Sequence, residues 1–230
     1  MHTGMVVLGG GIGRRIGRPV PKQFLLLGGK PIVIHVLEKV RPIAEIEDIV
    51  ITCPESHIGA MQQLLDNHRL GSRFRCVVGG ASRQESTLLG LQALADDVDD
   101  VIIHEAVRPL VSIDDFRQLI DAPEQNVIFG IPIPFTVLKG HDHVEGLLDR
   151  DELVNVQLPQ KFDRRRLLAA HEAARDAGQE YTEDASLFFE HTGEPVRILQ
   201  GSDHNIKITV PTDTVIAEAI YADLIGRRTR

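Results

Sequence analysis

A chain of 230 residues with a formal net charge of −8 has no stretch near the ~20 uncharged apolar residues of a membrane helix, and it lacks the basic balance of a nucleic-acid-binding domain. Its hydrophobic content of 43% supplies a core for one large domain, and an aromatic share of 4% without Trp makes that core aliphatic. Cys53 and Cys76 have neither metal-ligand spacing nor the look of a disulfide framework, and no basic n-region with a long apolar stretch follows Met1, so a cytoplasmic location is expected.

In chain order, residues 5–8 read as a short buried strand that enters a glycine loop at 9–17. Helical spacing covers 32–40, a strand 48–52, a helix 57–65 and a strand 75–78. Ser82 is placed to cap a helix running to about Leu94, residues 101–104 form a strand, and Ser112-Ile113-Asp114-Asp115 has capping-box spacing before another helix. The alternation breaks between about 131 and 156, where Pro132, Pro134, Gly140 and Gly146 punctuate short β-like pieces. A projecting hairpin and an irregular surface loop both fit that pattern. Helical periodicity returns at 164–177, 184–191 and 212–225, with late strands expected at 196–199 and 206–210. The stripe Leu167, Leu168, His171 and Ala174 reads as core packing, with His171 at its margin. Strands alternating with helices imply parallel βαβ units and continuous apolar strands imply a sheet covered on both faces. The expected fold is therefore a three-layer α/β/α sandwich with a Rossmann-like, mostly parallel sheet. It forms a single domain over 1–230 with a β-arm at about 131–160, and ligands are expected at the carboxyl ends of the strands.

Four segments carry candidate chemistry. In Gly9-Gly10-Gly11-Ile12-Gly13-Arg14-Arg15-Ile16-Gly17, followed by Pro21-Lys22-Gln23-Phe24, glycines let the backbone approach a phosphate while Arg and Lys add charge. The spacing misses the last glycine of a dinucleotide fingerprint, and Gly29-Lys30-Pro31 fails the P-loop pattern. Gly79-Gly80-Ala81-Ser82-Arg83-Gln84-Glu85-Ser86 is a second strand-to-helix junction able to offer amides and a hydroxyl to a base or ribose. His104-Glu105-Ala106-Val107-Arg108-Pro109 puts a carboxylate and a guanidinium three apart at a strand end, and Lys207 lies between Ile206 and Ile208. His141-x-His143 has no evident further ligands and reads as solvated.

Taken in order, these segments resemble the 2-C-methyl-D-erythritol 4-phosphate cytidylyltransferase family and its relatives acting on ribitol 5-phosphate. Further matches are Asp149-Arg150, Pro159-Gln160, Thr182-Glu183-Asp184-Ala185-Ser186 and Asn205-Ile206-Lys207-Ile208-Thr209, so the resemblance spans almost the whole chain. It implies an enzyme that transfers CMP from CTP to a polyol phosphate, with Arg15, Lys22 and Lys207 as catalytic cations. It implies that Gly9, Gly10, Gly11, Gly80, Ala81, Arg83 and Ser86 surround the nucleotide, and that Glu105, Arg108, Thr136, Arg150 and Thr182 face the polyol phosphate. A divalent ion, typically Mg2+, would be carried mainly by the CTP phosphates, with Glu105 as its candidate protein ligand. The likeness also implies a homodimer whose β-arms complete each other's site, Arg150 coming from the partner.

Three departures touch the acceptor side. Glu105 stands where the family usually has Asp, Phe135 precedes Thr136 where an Asp is common, and Leu158 replaces a Thr before Pro159-Gln160. Phe135 and Leu158 are expected to make the acceptor wall more apolar. Methylerythritol phosphate leads ribitol 5-phosphate or another alditol phosphate as acceptor. A CTP-binding regulator without turnover and a sugar-1-phosphate nucleotidyltransferase using UTP or GTP are the other readings.

Overall fold

The structure is a computed structural model that describes residues 2–10 and 21–228; Gly11 and Arg15 lie outside the described residues. The first strand, β1 (Thr3–Leu8), is buried along its whole length and delivers the chain to Gly9, whose N–H donates to the Thr52 carbonyl at 2.9 Å. A two-stranded ribbon, β2 (Leu26–Leu27) and β3 (Lys30–Pro31), turns at Gly28 (φ 55°) and Gly29 (φ 78°), angles that side chains with a Cβ resist. There follow α1 (Ile32–Val40), β4 (Ile46–Cys53), α2 (Ile58–Asn67), β5 (Phe74–Val78), α3 (Arg83–Ala93), β6 (Asp100–Glu105) and α4 (Ile113–Asp121). The Ser82 hydroxyl accepts from the Glu85 amide, and Ser112 with Asp115 forms the expected capping box. The second half contributes β7 (Val127–Pro132), the hairpin β8 (Val137–Gly140) and β9 (Val144–Leu148), β10 (Val154–Asp163), α5 (Arg164–Asp176), α6 (Asp184–Thr192), β11 (Arg197–Gln200) and α7 (Pro211–Arg228).

Seven strands form one sheet in the order β11-β7-β10-β6-β1-β4-β5. All neighbours are parallel except β10, which runs antiparallel to both β6 and β7. Side chains alternate across β1, so Met5 and Val7 join Val36, Leu37, Met61 and Phe116 on one face. Val6 and Leu8 join Leu91, Leu167 and Phe188 on the other, and the three-layer sandwich follows. Each such fully buried aliphatic side chain contributes about 1.5–3 kcal/mol of transfer free energy. Among the described residues no helix is long and apolar enough to cross a membrane.

Two sheet strands, β7 and β10, were not expected from pattern. β10 carries buried Gln157, Gln160 and Lys161 where apolar residues would signal a central strand. Their donor ends are paired sideways: Gln157 donates to the Ser202 carbonyl at 2.9 Å, Gln160 to Glu183 at 2.5 Å and Lys161 to the Ala122 carbonyl at 2.9 Å. The pairing register of β10 with β7 shifts between Gln157 and Gln160, around Pro159, which has no N–H to give a ladder.

Three local expectations are corrected. Residues 206–210 form no strand; Ile208 is fully buried, and the segment is held by its N–H to the Val107 carbonyl at 2.9 Å rather than by a ladder. His171 is 1% exposed, well inside the helix layer. Leu158 packs with Phe162 and Phe188 in the core, so it forms no part of an open wall, whereas Phe135 is 74% exposed.

Candidate active site

Three strand ends converge at the carboxyl edge of the sheet. β1 leads to Gly9-Gly10, β5 to Gly79-Gly80 and β6 to Glu105. The first two turns meet around one hydroxyl. A Cβ on Gly10 would stand 3.0 Å from Ser86 Oγ, and one on Gly79 would stand 3.1 Å from it. A larger residue at either position would push Ser86 aside by a few tenths of an ångström, so glycine favours that backbone approach. Ser86 Oγ donates to the Ser82 carbonyl at 2.8 Å and accepts from the Gly80 amide at 3.1 Å, while the Ala81 amide donates to Glu85 at 2.6 Å. The amides of Gly80 and Ala81 are thus engaged within their own turn, which fixes its shape. Across the cleft, the Gly9 carbonyl accepts from the buried Gln23 side chain at 2.6 Å, and Lys22 Nζ donates to the Thr209 carbonyl at 2.6 Å. The exit of the glycine loop is thereby tied to the segment that carries Lys207.

Glu105 is the centre of charge. Its Oε1 accepts from Lys207 Nζ at 2.7 Å and lies 3.5 Å from Arg83 Nε, and its Oε2 accepts from Arg108 Nε at 3.1 Å. Burial would push its carboxyl up, but Lys207, Arg108 and Arg83 outweigh that and hold it at about 2. Arg108 also donates to the Asn205 carbonyl at 3.0 Å, and Asn205 in turn donates to the Leu158 carbonyl at 2.6 Å. With Arg83 also held by Asp184, Lys207 and Arg108 are left sharing the Glu105 carboxylate, an arrangement that can turn positive charge toward a phosphate although the whole chain is acidic. The same arrangement does not fit Glu105 as a metal ligand, since both its oxygens already accept from cations. Among the described residues no three His, Cys, Asp or Glu side chains gather as a metal site.

Burial pushes the neighbouring His104 down to about 3, with Arg108 adding to the effect. Its ring stacks edge-on against Phe116 with centroids 5.5 Å apart, so it is a neutral core side chain rather than a general base.

The other expected residues sit elsewhere or face differently. Arg83, expected near the nucleotide, turns its guanidinium to carboxylates, donating from Nη2 to Asp184 at 2.7 Å. Thr182 is exposed just before α6. Thr136 is exposed at the foot of the hairpin, and Arg150 donates across its base to the Pro134 carbonyl at 3.2 Å. These arm residues are not drawn into the Glu105 cluster by any contact within the chain among the described residues. His141 and His143 are exposed at the hairpin tip, and Cys53 and Cys76 are unpaired.

Residues 4–223 match the family described as IspD: 2-C-methyl-D-erythritol 4-phosphate cytidylyltransferase. The chain belongs to this family. It is similar to the Geobacillus kaustophilus enzyme of that name, at 37% identity over 228 residues, covering 96% of this chain and 98% of the relative. The Streptomyces coelicolor relative of the same name is 35% identical over 234 residues, covering 96% of this chain and 85% of the relative. Among solved structures, 4-diphosphocytidyl-2C-methyl-D-erythritol synthase from Anaerococcus prevotii superposes with a TM-score of 0.84 at 28% identity, covering 96% of this chain and 98% of that one. The Thermus thermophilus 2-C-methyl-D-erythritol 4-phosphate cytidylyltransferase gives 0.78 at 27% identity, with 96% and 98% covered. Members of this family are CTP-dependent nucleotidyltransferases.

Sequence reasoning quoted Gln23, Asn205 and Asp184 within its motifs but gave them no role, and it read His171 as core packing. Gln23, Asn205, Asp184 and His171 are buried polar residues, 1%, 2%, 1% and 1% exposed respectively, and for Gln23, Asn205 and Asp184 their place in a motif was the signal that could have found them.

Proposed function

We propose that this chain transfers CMP from CTP to 2-C-methyl-D-erythritol 4-phosphate with release of pyrophosphate. The observation that carries the proposal is Glu105 clamped between Lys207 and Arg108 at the sheet edge where the two glycine turns meet. The acceptor phosphate attacks the α-phosphorus in line, the bond to the bridging oxygen of the β-phosphate breaks, and that oxygen leaves on pyrophosphate. A phosphate monoester is already largely ionised near neutral pH, so the site needs positioned cations rather than a strong base. Lys207 would neutralise charge at the reacting centre, and Arg15 with Lys22 would hold the CTP phosphates. Gly9, Gly10, Gly11, Gly80, Ala81 and Ser86 would enclose the cytidine. Arg108, Thr136, Arg150 and Thr182 would take the acceptor, with Glu105 aiming Arg108.

The family generally uses a divalent cation. Mg2+ bound to the triphosphate supplies further charge neutralisation, while the protein groups bind and orient. Arg150 and Thr136 stand apart from the Glu105 cluster on an apolar, exposed hairpin, which supports a homodimer in which each arm reaches the partner's site. The single domain with its β-arm at about 131–160 and a cytoplasmic setting belong to the same reading; the unpaired cysteines are compatible with a reducing compartment.

With Leu158 in the core, Phe135 and Glu105 are the departures left facing the acceptor. Pyrophosphate release with CTP, Mg2+ and a panel of polyol phosphates tests the proposal: methylerythritol 4-phosphate should be preferred over ribitol 5-phosphate. A folded protein that ignores CTP and the whole panel would falsify it.

A further inference from the structure

A chain of buried charge runs from the far helix layer to Glu105. His171 on α5 lies with Nε2 3.1 Å from Asp184 Oδ1, and a carboxylate can only accept, so that nitrogen carries the proton. Asp184, the first residue of α6, meets Arg83 Nη2 through its other oxygen at 2.7 Å. Arg83, the first residue of α3, then presents Nε to Glu105 Oε1 at 3.5 Å, the same oxygen that accepts from Lys207. One planar guanidinium thus meets two carboxylates through two fixed nitrogens, Nε and Nη2, which a lysine ammonium cannot reproduce. Burial would push the Asp184 carboxyl up, yet the Arg83 charge and the hydrogen bonds from His171 and Arg83 hold it well below the usual carboxylate range.

Helix packing does not require this arrangement. Leu187, Ala170 and Ala174 already pack α6 on α5, and Phe188 joins them to the sheet face. Ion pairs this deep set a large desolvation penalty against their attraction, and apolar residues of similar volume often serve stability as well. The network also leaves His171 Nδ1 and Arg83 Nη1 buried without partners among the described residues. What a fixed, directional network provides is orientation.

We propose that His171 and Asp184 are positioning residues: they hold Arg83 against Glu105 and so set where Lys207 and Arg108 stand at the reacting phosphates. The proposal deepens the cytidylyltransferase reading and rests on it.

The test uses the full chain with Asp184→Asn, His171→Leu and His171→Gln. D184N and H171L should lower kcat by about 10- to 100-fold while KM for CTP stays within about twofold, because the nucleotide turns are untouched. H171Q keeps an amide donor for Asp184 and should recover most of the rate. Equal rates for H171L and H171Q, or a wild-type kcat in D184N with only a lowered melting temperature, would reduce the pair to core packing and overturn the proposal. A crystal structure of D184N gives a readout independent of turnover: the Lys207–Glu105 contact should open, and an unchanged contact overturns the proposal. If D184N does not fold, the same contact is read in H171L against H171Q. A wild-type chain inert toward CTP and every acceptor would sink the cytidylyltransferase reading alone, leaving the structural readout standing.

Discussion

Around Glu105, residues from β6, α3 and the 205–209 segment meet across sequence separations of up to 102 residues, and both carboxylate oxygens have cationic partners. Along the β8–β9 hairpin, Leu138, Val144, Leu147 and Leu148 are between 41% and 71% exposed. The first region is preorganised by its own chain, with Glu105 held by three partners and Arg83 and Arg108 by two each. The second is an apolar ribbon that a single chain leaves uncovered; an isolated two-stranded hairpin is marginal in water. The contrast separates what one protomer builds for itself from what the proposed partner would complete. An active site divided this way can hold CTP on a rigid half and admit the acceptor through the half that is assembled.

The largest effect should come from breaking the rigid half at its centre. Glu105→Gln leaves Arg108 and Arg83 buried beside a neutral amide, so we expect a loss of about 3 kcal/mol in stability and at least about 100-fold in kcat. Chemical denaturation and steady-state pyrophosphate release measure the two. Next, Lys207→Ala and Lys22→Ala should each cost on the order of 2–4 kcal/mol of transition-state stabilisation while the melting temperature changes little. Rates near wild type for both would remove the cationic assignment.

The assembled half is sharpened by mixing. Lys207→Ala and Arg150→Ala chains, each nearly inactive, should regain activity when exchanged into mixed dimers, because some sites then hold both wild-type residues. Strict additivity of the residual rates would show that Arg150 serves its own chain.

Acid should act on the rigid half. The unfolded chain takes up a proton on His104 near pH 6.5 but the folded chain only near 3, so stability falls as pH drops through that window. Glu105 acts lower: its stabilisation is present above about 4.5 and is lost as pH falls toward 2. Urea titrations between pH 7 and 3 on wild type and His104→Leu should yield a flatter profile for the variant. The smallest effect is Arg175→Ala, which removes an exposed pair with Asp176 and should shift stability by less than about 0.5 kcal/mol with unchanged turnover.

Much of this was legible in the order of residues. The α1 helix occupies the stretch that apolar spacing marked, and the Ser82 and Ser112 caps hold their helices as their short-range chemistry demands. The glycine turns and the Glu105–Arg108 spacing were visible for the same local reason. β10 was not: its buried polar side chains look like surface until Ser202, Glu183 and Ala122 arrive to accept from their donors. The alternation of 206–210 was real, with Ile208 inward and Lys207 toward Glu105, but among the described residues no neighbouring strand pairs with it.

By itself the sequence determined the main helices, the strands β1, β4, β5 and β6, the Ser82 and Ser112 caps, the glycine turns at the strand ends and the family, because these depend on periodicity and contacts a few residues apart. The tertiary structure alone decided that Arg83 faces two carboxylates, that Leu158 belongs to the core, and that His171 and Asp184 reach Glu105 through a guanidinium. Those outcomes depend on which distant groups share a desolvated volume, and burial, far more than residue type, sets the worth of a charge there.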